Sequence, residues 1–162
     1  MDVERARAFL LSLPHVVETQ QWGDNLVFWV GDKRIGGKMF ALVDLGEGLS
    51  KGVAMYSAGP ERFAELVEIE GLIPAPYMAR IHWVAAERWG ALRNLEWEEE
   101  LRAAHAITLA KLPKGVLDVL AMPERQRKAL IIERRKLLAA RDEKARAAKV
   151  AKKAGAAKAK RG

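Results

Sequence analysis

Cysteine is missing from all 162 residues of the chain. Its absence excludes disulfide bonds, thiol nucleophiles and zinc–thiolate sites, and it fits the reducing environment of the cytoplasm. Long apolar runs are also missing, since no stretch approaches the ~20 residues of a membrane-spanning helix. The first residues, MDVERARAF, are charged where a signal peptide is hydrophobic. We therefore expect a cytoplasmic protein that does not enter a membrane.

Motifs for phosphate binding and for serine hydrolysis are absent as well. Neither Gly36-Gly37 nor Gly46-Glu47-Gly48 has the strand–loop–helix context of a phosphate loop, and no Gly-x-Ser-x-Gly motif occurs. Each of the three histidines, His15, His82 and His105, falls on a different predicted element, with no second ligand at helical spacing. The sequence therefore predicts neither an enzyme nor a metal or cofactor site.

Positive charge is plentiful but unevenly placed. The chain carries 28 Lys and Arg against 21 Asp and Glu, a net charge of +7. Residues 139–162 hold nine of the cations and two of the anions, so this tail accounts for the whole excess and the rest of the chain is balanced. The nine cations are Arg141, Lys144, Arg146, Lys149, Lys152, Lys153, Lys158, Lys160 and Arg161.

A cationic tail of this kind predicts binding to double-stranded DNA. Each Lys or Arg that contacts a phosphate releases condensed counterions, and such contacts carry no sequence information. The Ala-Lys repeats favour a helix once their charges are neutralised, and the composition resembles that of linker-histone tails. The alternative is a solubilising extension, because basic tails are common and carry little information.

Before the tail, hydrophobic periodicity predicts a sheet followed by helices. Asp2 is suited to cap a helix that ends at Leu13, before Pro14, and Gly59-Pro60-Glu61 is a typical helix start. Alternating or wholly apolar runs predict four strands ahead of this second helix. These strands are Val16 to Trp22, Leu26 to Val30, Lys38 to Asp44 and Val53 to Ser57, with a chain reversal at Gly46-Glu47-Gly48 between the last two.

Residues 71–84, GLIPAPYMARIHWV, connect the sheet to its helical cover. Pro74 and Pro76 stiffen a loop. The alternation from Met78 to Ala85 then predicts a fifth strand, with His82 and Trp83 on opposite faces. The aromatic residues that we expect in the core are Trp22, Phe28, Phe40 and Trp83.

Two long helices are predicted beyond this strand. Asn94 is suited to cap the first, whose buried side includes Trp97 and Leu101. In the second, Leu130 and Leu137, like Ile131 and Leu138, lie seven residues apart. They form an apolar stripe that suits either a weak homodimer or packing on the protein's own sheet. We divide the chain into an α+β domain (residues 1–121), an amphipathic helix (122–138) and a basic tail that is solvated or disordered (139–162).

Six short motifs stand out along the first part of the chain. They are WG at Trp22, VFWV at Val27, KMFAL at Lys38, GPE at Gly59, PAPYM followed by HWV in residues 74–84, and KLPK at Lys111. In this order and spacing they resemble the MmcQ/YjbR family of small bacterial proteins, over roughly Met1 to Val116. The chain departs from the family at Ser57, where a lysine is frequent, and at residues 79–81, where Asn-Lys is frequent.

The resemblance implies an α+β fold of about five antiparallel strands with helices on one face, similar to the frataxin-like proteins. It also implies a double-wing DNA-binding protein, in which two hairpins lie along DNA and Trp29 stacks if it is exposed. Iron binding of the frataxin type is not expected, because the first helix contains only Asp2 and Glu4 as acidic residues. The wing cations are Lys33, Arg34, Lys38 and Lys51.

We predict a non-enzymatic protein that binds double-stranded DNA largely without sequence preference and that then associates with the nucleoid. The tail cations contribute most and the wing cations less. A further set of cations begins the last helix, namely Arg125, Arg127 and Lys128. The alternative function is protein–protein interaction or self-association through the C-terminal helix, with a tail that only solubilises.

Overall fold

The computed structural model of the protein describes residues 1–46 and 52–159, and for residues 155–159 it describes the backbone alone. The chain divides into two compact units, Met1–Leu120 and Ala121–Gly162. Two predictions in the first unit lie outside the described residues: the reversal at Glu47-Gly48 and the wing cation Lys51.

The first unit is an α+β domain, as the sequence predicts. Its helices are α1 (Val3–Ser12), α2 (Pro60–Leu66), α3 (Asn94–Ala110) and α4 (Lys114–Leu120). Its strands are β1 (Val16–Gln21), β2 (Asn25–Val30), β3 (Lys38–Asp44), β4 (Ala54–Ser57), β5 (Leu72–Pro74) and β6 (Trp83–Ala86). Short 3₁₀ turns occur at Lys33–Ile35, Ala79–Ile81 and Trp89–Ala91.

The six described strands form one antiparallel sheet in the order β1-β2-β3-β4-β6-β5. Every residue of β2 is buried, in agreement with its apolar sequence on both faces. The sixth strand is β5, a three-residue edge strand within the stiff loop that the sequence predicts. Its Pro74 is tolerated there because an edge strand leaves backbone N–H groups unpaired.

One face of the sheet is covered by α3, which contacts β2, β3 and β4. Trp97 of α3 is fully buried, its ring packs against Tyr56 at a centroid distance of 6.1 Å, and its indole N–H donates to the Trp89 oxygen at 2.9 Å. His105 packs edge-on against Phe40 at 5.4 Å. Burial of large side chains of this kind stabilises the fold by about 1.5–3 kcal/mol each.

The opposite face carries a second apolar cluster. Val27, Trp29, Leu42, Met55, Ala75, Trp83 and Ala85 form this cluster. The loop after β5 lies on it, because Ala75 is buried there and its N–H donates to the Trp83 oxygen at 2.9 Å. Trp29 is 8% exposed, and its indole N–H donates to Thr19 Oγ1 at 2.8 Å. The sheet is therefore covered by helices on one face and by an irregular segment on the other.

The prediction that residues 78–85 form one strand is wrong in its first half. Ala79–Ile81 is a 3₁₀ turn, His82 follows in the left-handed region at φ 60°, and β6 begins at Trp83. Local hydrogen bonds replace strand pairing here, such as His82 N–H to the Ala79 oxygen at 3.0 Å. Trp83 itself is 4% exposed, which confirms its place in the core.

Trp22 is not a core residue, whereas Phe28 and Phe40 are fully buried as predicted. Strand β1 ends at Gln21, and Trp22 has φ 52° in the turn that leads to β2. Because the turn begins one residue earlier than the sequence predicts, the Trp22 side chain no longer follows the strand alternation. It is 49% exposed.

Helix starts follow the sequence predictions in one case and depart from them in another. Asp2 caps α1 as predicted and accepts a hydrogen bond from the Arg5 N–H at 2.8 Å. Asn94 does not cap α3 but is its first residue, and the Glu96 carboxylate accepts the N–H of the preceding Arg93 at 2.7 Å. Asn94 Oδ1 instead accepts a hydrogen bond from the amino group of Met1.

The second unit consists mainly of α5, which runs from Glu124 to Ala159 without a break. Its 36 residues give a length of about 54 Å at 1.5 Å per residue. The amphipathic segment and the helical part of the basic tail therefore belong to one helix. None of its described side chains is buried, and Ile132 and Leu137 are 52% and 61% exposed. No described helix has both the length and the hydropathy to span a bilayer.

Candidate nucleic-acid interface

Six cations of the predicted tail have described side chains on α5, and all six are exposed. They are Arg141, Lys144, Arg146, Lys149, Lys152 and Lys153. Within the described part of the chain, none of them forms an ion pair, although Asp142 and Glu143 lie in the same stretch. Their charges are therefore not neutralised by the carboxylates of the described residues.

The helix also places like charges next to one another. Lys149 has Arg146 three residues before it, and Lys152 and Lys153 three and four residues after it. Side chains at these spacings are neighbours on a helix surface, with about 5–6 Å between Cβ atoms, and like charges there oppose helix formation. A polyanion that neutralises this group relieves the repulsion and stabilises the helix.

The predicted cations at the start of α5 form more hydrogen bonds and ion pairs with described residues than those of the tail do. Lys128 Nζ lies 2.5 Å from a Glu124 carboxylate oxygen, and this hydrogen bond lowers the pKa of Glu124. The Arg127 guanidinium donates to the Met122 oxygen at 3.2 Å. Arg125 is exposed. Two of these three cations therefore already have contacts with their own helix or the residues just before it.

Three further cations of α5 are not among the predicted DNA-binding residues. Arg134, Arg135 and Lys136 are exposed, and they lie between the two predicted sets. These three consecutive basic residues are visible in the sequence. They fall, however, in the segment 122–138, whose leucines predict an amphipathic helix that makes apolar contacts. With them, the cationic surface extends over most of α5.

Some predicted cations lie outside what the structure describes. These are Lys51, Lys160 and Arg161, together with the side chain of Lys158. Their role in DNA binding stays a prediction.

The described wing cations of the first unit all have contacts within that unit. Lys33 Nζ lies 5.6 Å from the centre of the Trp29 ring, Arg34 Nη1 lies 3.1 Å from an Asp32 oxygen, and Lys38 Nζ lies 3.5 Å from the Lys111 carbonyl oxygen. Local structure explains the second contact, because Asp32 caps the 3₁₀ turn at Lys33–Ile35 and so lies beside Arg34. Lys33 and Arg34 lie on the β2–β3 connection and Lys38 begins β3, and each of the three has a contact within the first unit.

Trp29 does not offer a stacking surface, contrary to the expectation for an exposed wing aromatic. It is 8% exposed and belongs to the apolar cluster on the sheet. Alternation along β2 cannot show this, because both faces of that strand are buried.

The other cations of the first unit are frequently paired with its carboxylates. The pairs, with separations of 2.6–2.9 Å, are Arg5–Glu98, Arg7–Glu18, Arg62–Glu100, Arg88–Glu70, Arg93–Glu96 and Lys114–Asp118. The hydrogen bond from Arg93 lowers the pKa of Glu96. Residues 1–120 carry 13 Lys and Arg and 17 Asp and Glu, so this unit has a net charge of −4 and enough carboxylates to pair with its cations.

His82 and His105 have packing and hydrogen-bonding contacts within the first unit. The His82 ring packs edge-on against Phe63 at 5.6 Å, and His105 Nε2 lies 2.8 Å from the Pro14 oxygen. The described residues contain no group of three or more His, Asp or Glu side chains that is arranged to hold a metal ion.

Comparisons with known proteins agree on one relationship. The model of the YjbR family matches residues 11–137. Among solved structures, the chain is similar to the Deinococcus radiodurans protein DR2400, which is described by its domain DUF419, with a TM-score of 0.63 and 26% sequence identity. The similarity covers 76% of this chain and 90% of that one. No curated protein matches the chain. The exposed tail cations from Arg141 onward lie beyond the family match.

Proposed function

This chain belongs to the YjbR family, and from that starting point we propose that it is a non-enzymatic protein that binds double-stranded DNA largely without sequence preference. Its main DNA-binding surface is the second half of α5. The observation that carries the proposal is the set of six exposed cations between Arg141 and Lys153, none of which pairs with a described carboxylate.

Contact between this helix and DNA is driven by charge. A duplex carries one negative charge per about 1.7 Å of its axis and a condensed layer of counterions, and each neutralised phosphate releases counterions into solution. A helix about 54 Å long can align many cations with such a rod. Because phosphates are identical along the duplex, contacts of this kind do not distinguish base sequences.

The wing cations have a secondary part in the proposal. Each of Lys33, Arg34 and Lys38 gives up a contact with Trp29, Asp32 or Lys111 if it turns to a phosphate. A tail cation such as Lys149 has no ion pair with a described residue to give up. The tail therefore gains more from each phosphate contact than the wing does.

A salt titration tests the proposal directly. The full chain and a chain that ends at Leu138 are compared by fluorescence anisotropy on two duplexes of unrelated sequence. We expect log K of the full chain to fall against log salt with a slope near −5, since about six contacts contribute about −0.9 each. We expect a much shallower slope for the shorter chain, and equal affinity for both duplexes. Equal slopes for the two chains would refute the assignment to the tail.

Self-association through α5 is the second candidate, and the exposed apolar residues of that helix favour it. Ile132 and Leu137 are 52% and 61% exposed, although both are large aliphatic side chains. Pairing of two helices through such residues is driven by apolar burial, which salt does not screen. Gel filtration of the full chain at low and high salt separates the two candidates, because a dimer of this kind persists where DNA binding weakens.

A further inference from the structure

A pocket of about 320 Å³ opens on the face of the sheet opposite α3. Leu42 and Met55 of the sheet line it and are buried, and Met39 and Met78 line it from the strand and the covering loop. Its volume lies in the range of small-molecule sites, which are concave, mostly apolar and few per protein. Methionine side chains adapt their shape to different apolar ligands, because they are unbranched and polarisable.

Two exposed aromatic residues stand at the same pocket in strained backbone conformations. Tyr77 is 97% exposed with φ 65°, and Trp22 is 49% exposed with φ 52°. Positive φ is unfavourable for bulky side chains and is found preferentially at functional sites. Core packing does not account for the strain at Tyr77, because its ring is almost entirely in solvent.

The pocket wall also contains a buried polar group with an unused acceptor. Asn25 lines the pocket and is 1% exposed, and its Nδ2 donates to the Trp22 oxygen at 2.9 Å. Its Oδ1 has no hydrogen-bond partner among the described residues. A buried acceptor without a donor is unfavourable, and such groups in native proteins call for an explanation. A bound molecule with one N–H or O–H group supplies the missing donor.

We propose that this pocket binds a small neutral molecule that has an aromatic or branched apolar body and one hydrogen-bond donor directed to Asn25 Oδ1. Neutrality follows from the described lining, which contains no Lys, Arg, Asp or Glu to compensate a ligand charge. The Oδ1 atom is covered in the structure, so a lining side chain shifts as the donor approaches. The rings of Trp22 and Tyr77 then close over the apolar body. The described lining contains none of the predicted DNA-binding cations, so this proposal does not rest on the proposed function.

The probe for the test is N-phenyl-1-naphthylamine, a neutral aromatic amine with one N–H whose fluorescence rises in apolar sites. It is titrated into the full chain, and 1-phenylnaphthalene, which lacks the N–H, is measured by displacement. We expect the amine to bind about fivefold more tightly than the hydrocarbon, as a single hydrogen bond provides. Absence of binding by the wild-type chain, or equal affinity of the two probes, would overturn the proposal.

A matched pair of variants separates ligand binding from folding and from surface adsorption. Tyr77→Gly removes the exposed ring and also relieves the positive φ, so its Tm stays equal or rises while probe affinity falls about tenfold. Leu95→Ala removes another exposed apolar side chain, 71% exposed on α3 and outside the pocket lining, and leaves affinity unchanged. Unchanged affinity in the tyrosine variant, or equal losses in both, would show that the probe only adsorbs to apolar surface.

Discussion

Removal of three neighbouring tail cations gives the sharpest prediction for DNA binding. Lys149, Lys152 and Lys153 are exposed on consecutive turns of α5 and have no ion pair with described residues. Replacement of all three by glutamine keeps the length of the helix and nearly its propensity. It also removes repulsion between like charges at helical spacing. The free variant therefore keeps or gains helicity while its affinity for DNA falls.

The size of the fall follows from the number of contacts. If each of the three lysines neutralises one phosphate, the slope of log K against log salt becomes shallower by about 2.7. The affinity then falls about 500-fold at 0.1 M salt but only about sixfold at 0.5 M. This dependence on salt distinguishes lost phosphate contacts from a general defect of folding, which salt does not reverse in this way.

Fluorescence anisotropy on one duplex measures the slope, and far-UV circular dichroism measures helicity. The matched control removes the same charge from the first unit by Lys33→Gln, Arg34→Gln and Lys38→Gln. We expect the control to change the slope by less than about 1, because each of these cations has a contact within the protein. If the control changes the slope more than the tail variant does, the reasoning is refuted and DNA binding is assigned to the wing cations.

Two further predictions concern stability, and urea unfolding tests both. Gly37→Ala should destabilise the fold by about 1–3 kcal/mol, because a Cβ there would lie 1.9 Å from the Gly31 oxygen. In the control Gly115→Ala, the added Cβ has no atom within 4 Å and the backbone is helical, so this variant should stabilise the fold by about 0.5–1 kcal/mol. A Gly37→Ala variant as stable as the wild type would contradict the geometry. Burial raises the pKa of Glu100 above its ordinary value of 4.5, although the nearby Arg62 charge acts to lower it. The stability that Glu100 contributes is therefore present below pH 4.5 and is lost as pH rises through the raised pKa. Glu100→Gln should therefore flatten the decline of stability above pH 4.5, and an unchanged profile would show that another group causes it.

The candidate site was predictable in one respect and not in another. The position of the tail cations follows from counting charges, and their exposure follows from the scarcity of large apolar residues beyond Ala139, since such a segment has no face to bury. The contact of the wing cation Lys38 was not predictable. Whether Lys38 reaches the Lys111 oxygen depends on a contact between residues 73 positions apart in the chain. No local pattern contains that information.

The pocket was invisible to sequence reasoning for a related reason. Trp22 resembles any strand aromatic in the sequence, and only the turn that begins at this residue brings it out of the core. Tyr77 lies in a loop whose prolines predict that it is stiff, but they do not predict which face of the sheet it covers. The pocket exists because the β1–β2 turn and the loop after β5 meet at the same face of the sheet.

By itself the sequence determined the class of fold, the limits of β3, the cap at Asp2 and the concentration of charge in α5. These features depend on local periodicity, on single capping side chains and on composition, all of which act over a few residues. Tertiary structure alone decided that Trp22 is exposed, that residues 79–81 leave the sheet, and that Lys38 contacts the Lys111 carbonyl oxygen. Those outcomes depend on which distant segments contact each other, and no short stretch of the sequence determines the free energy of such contacts.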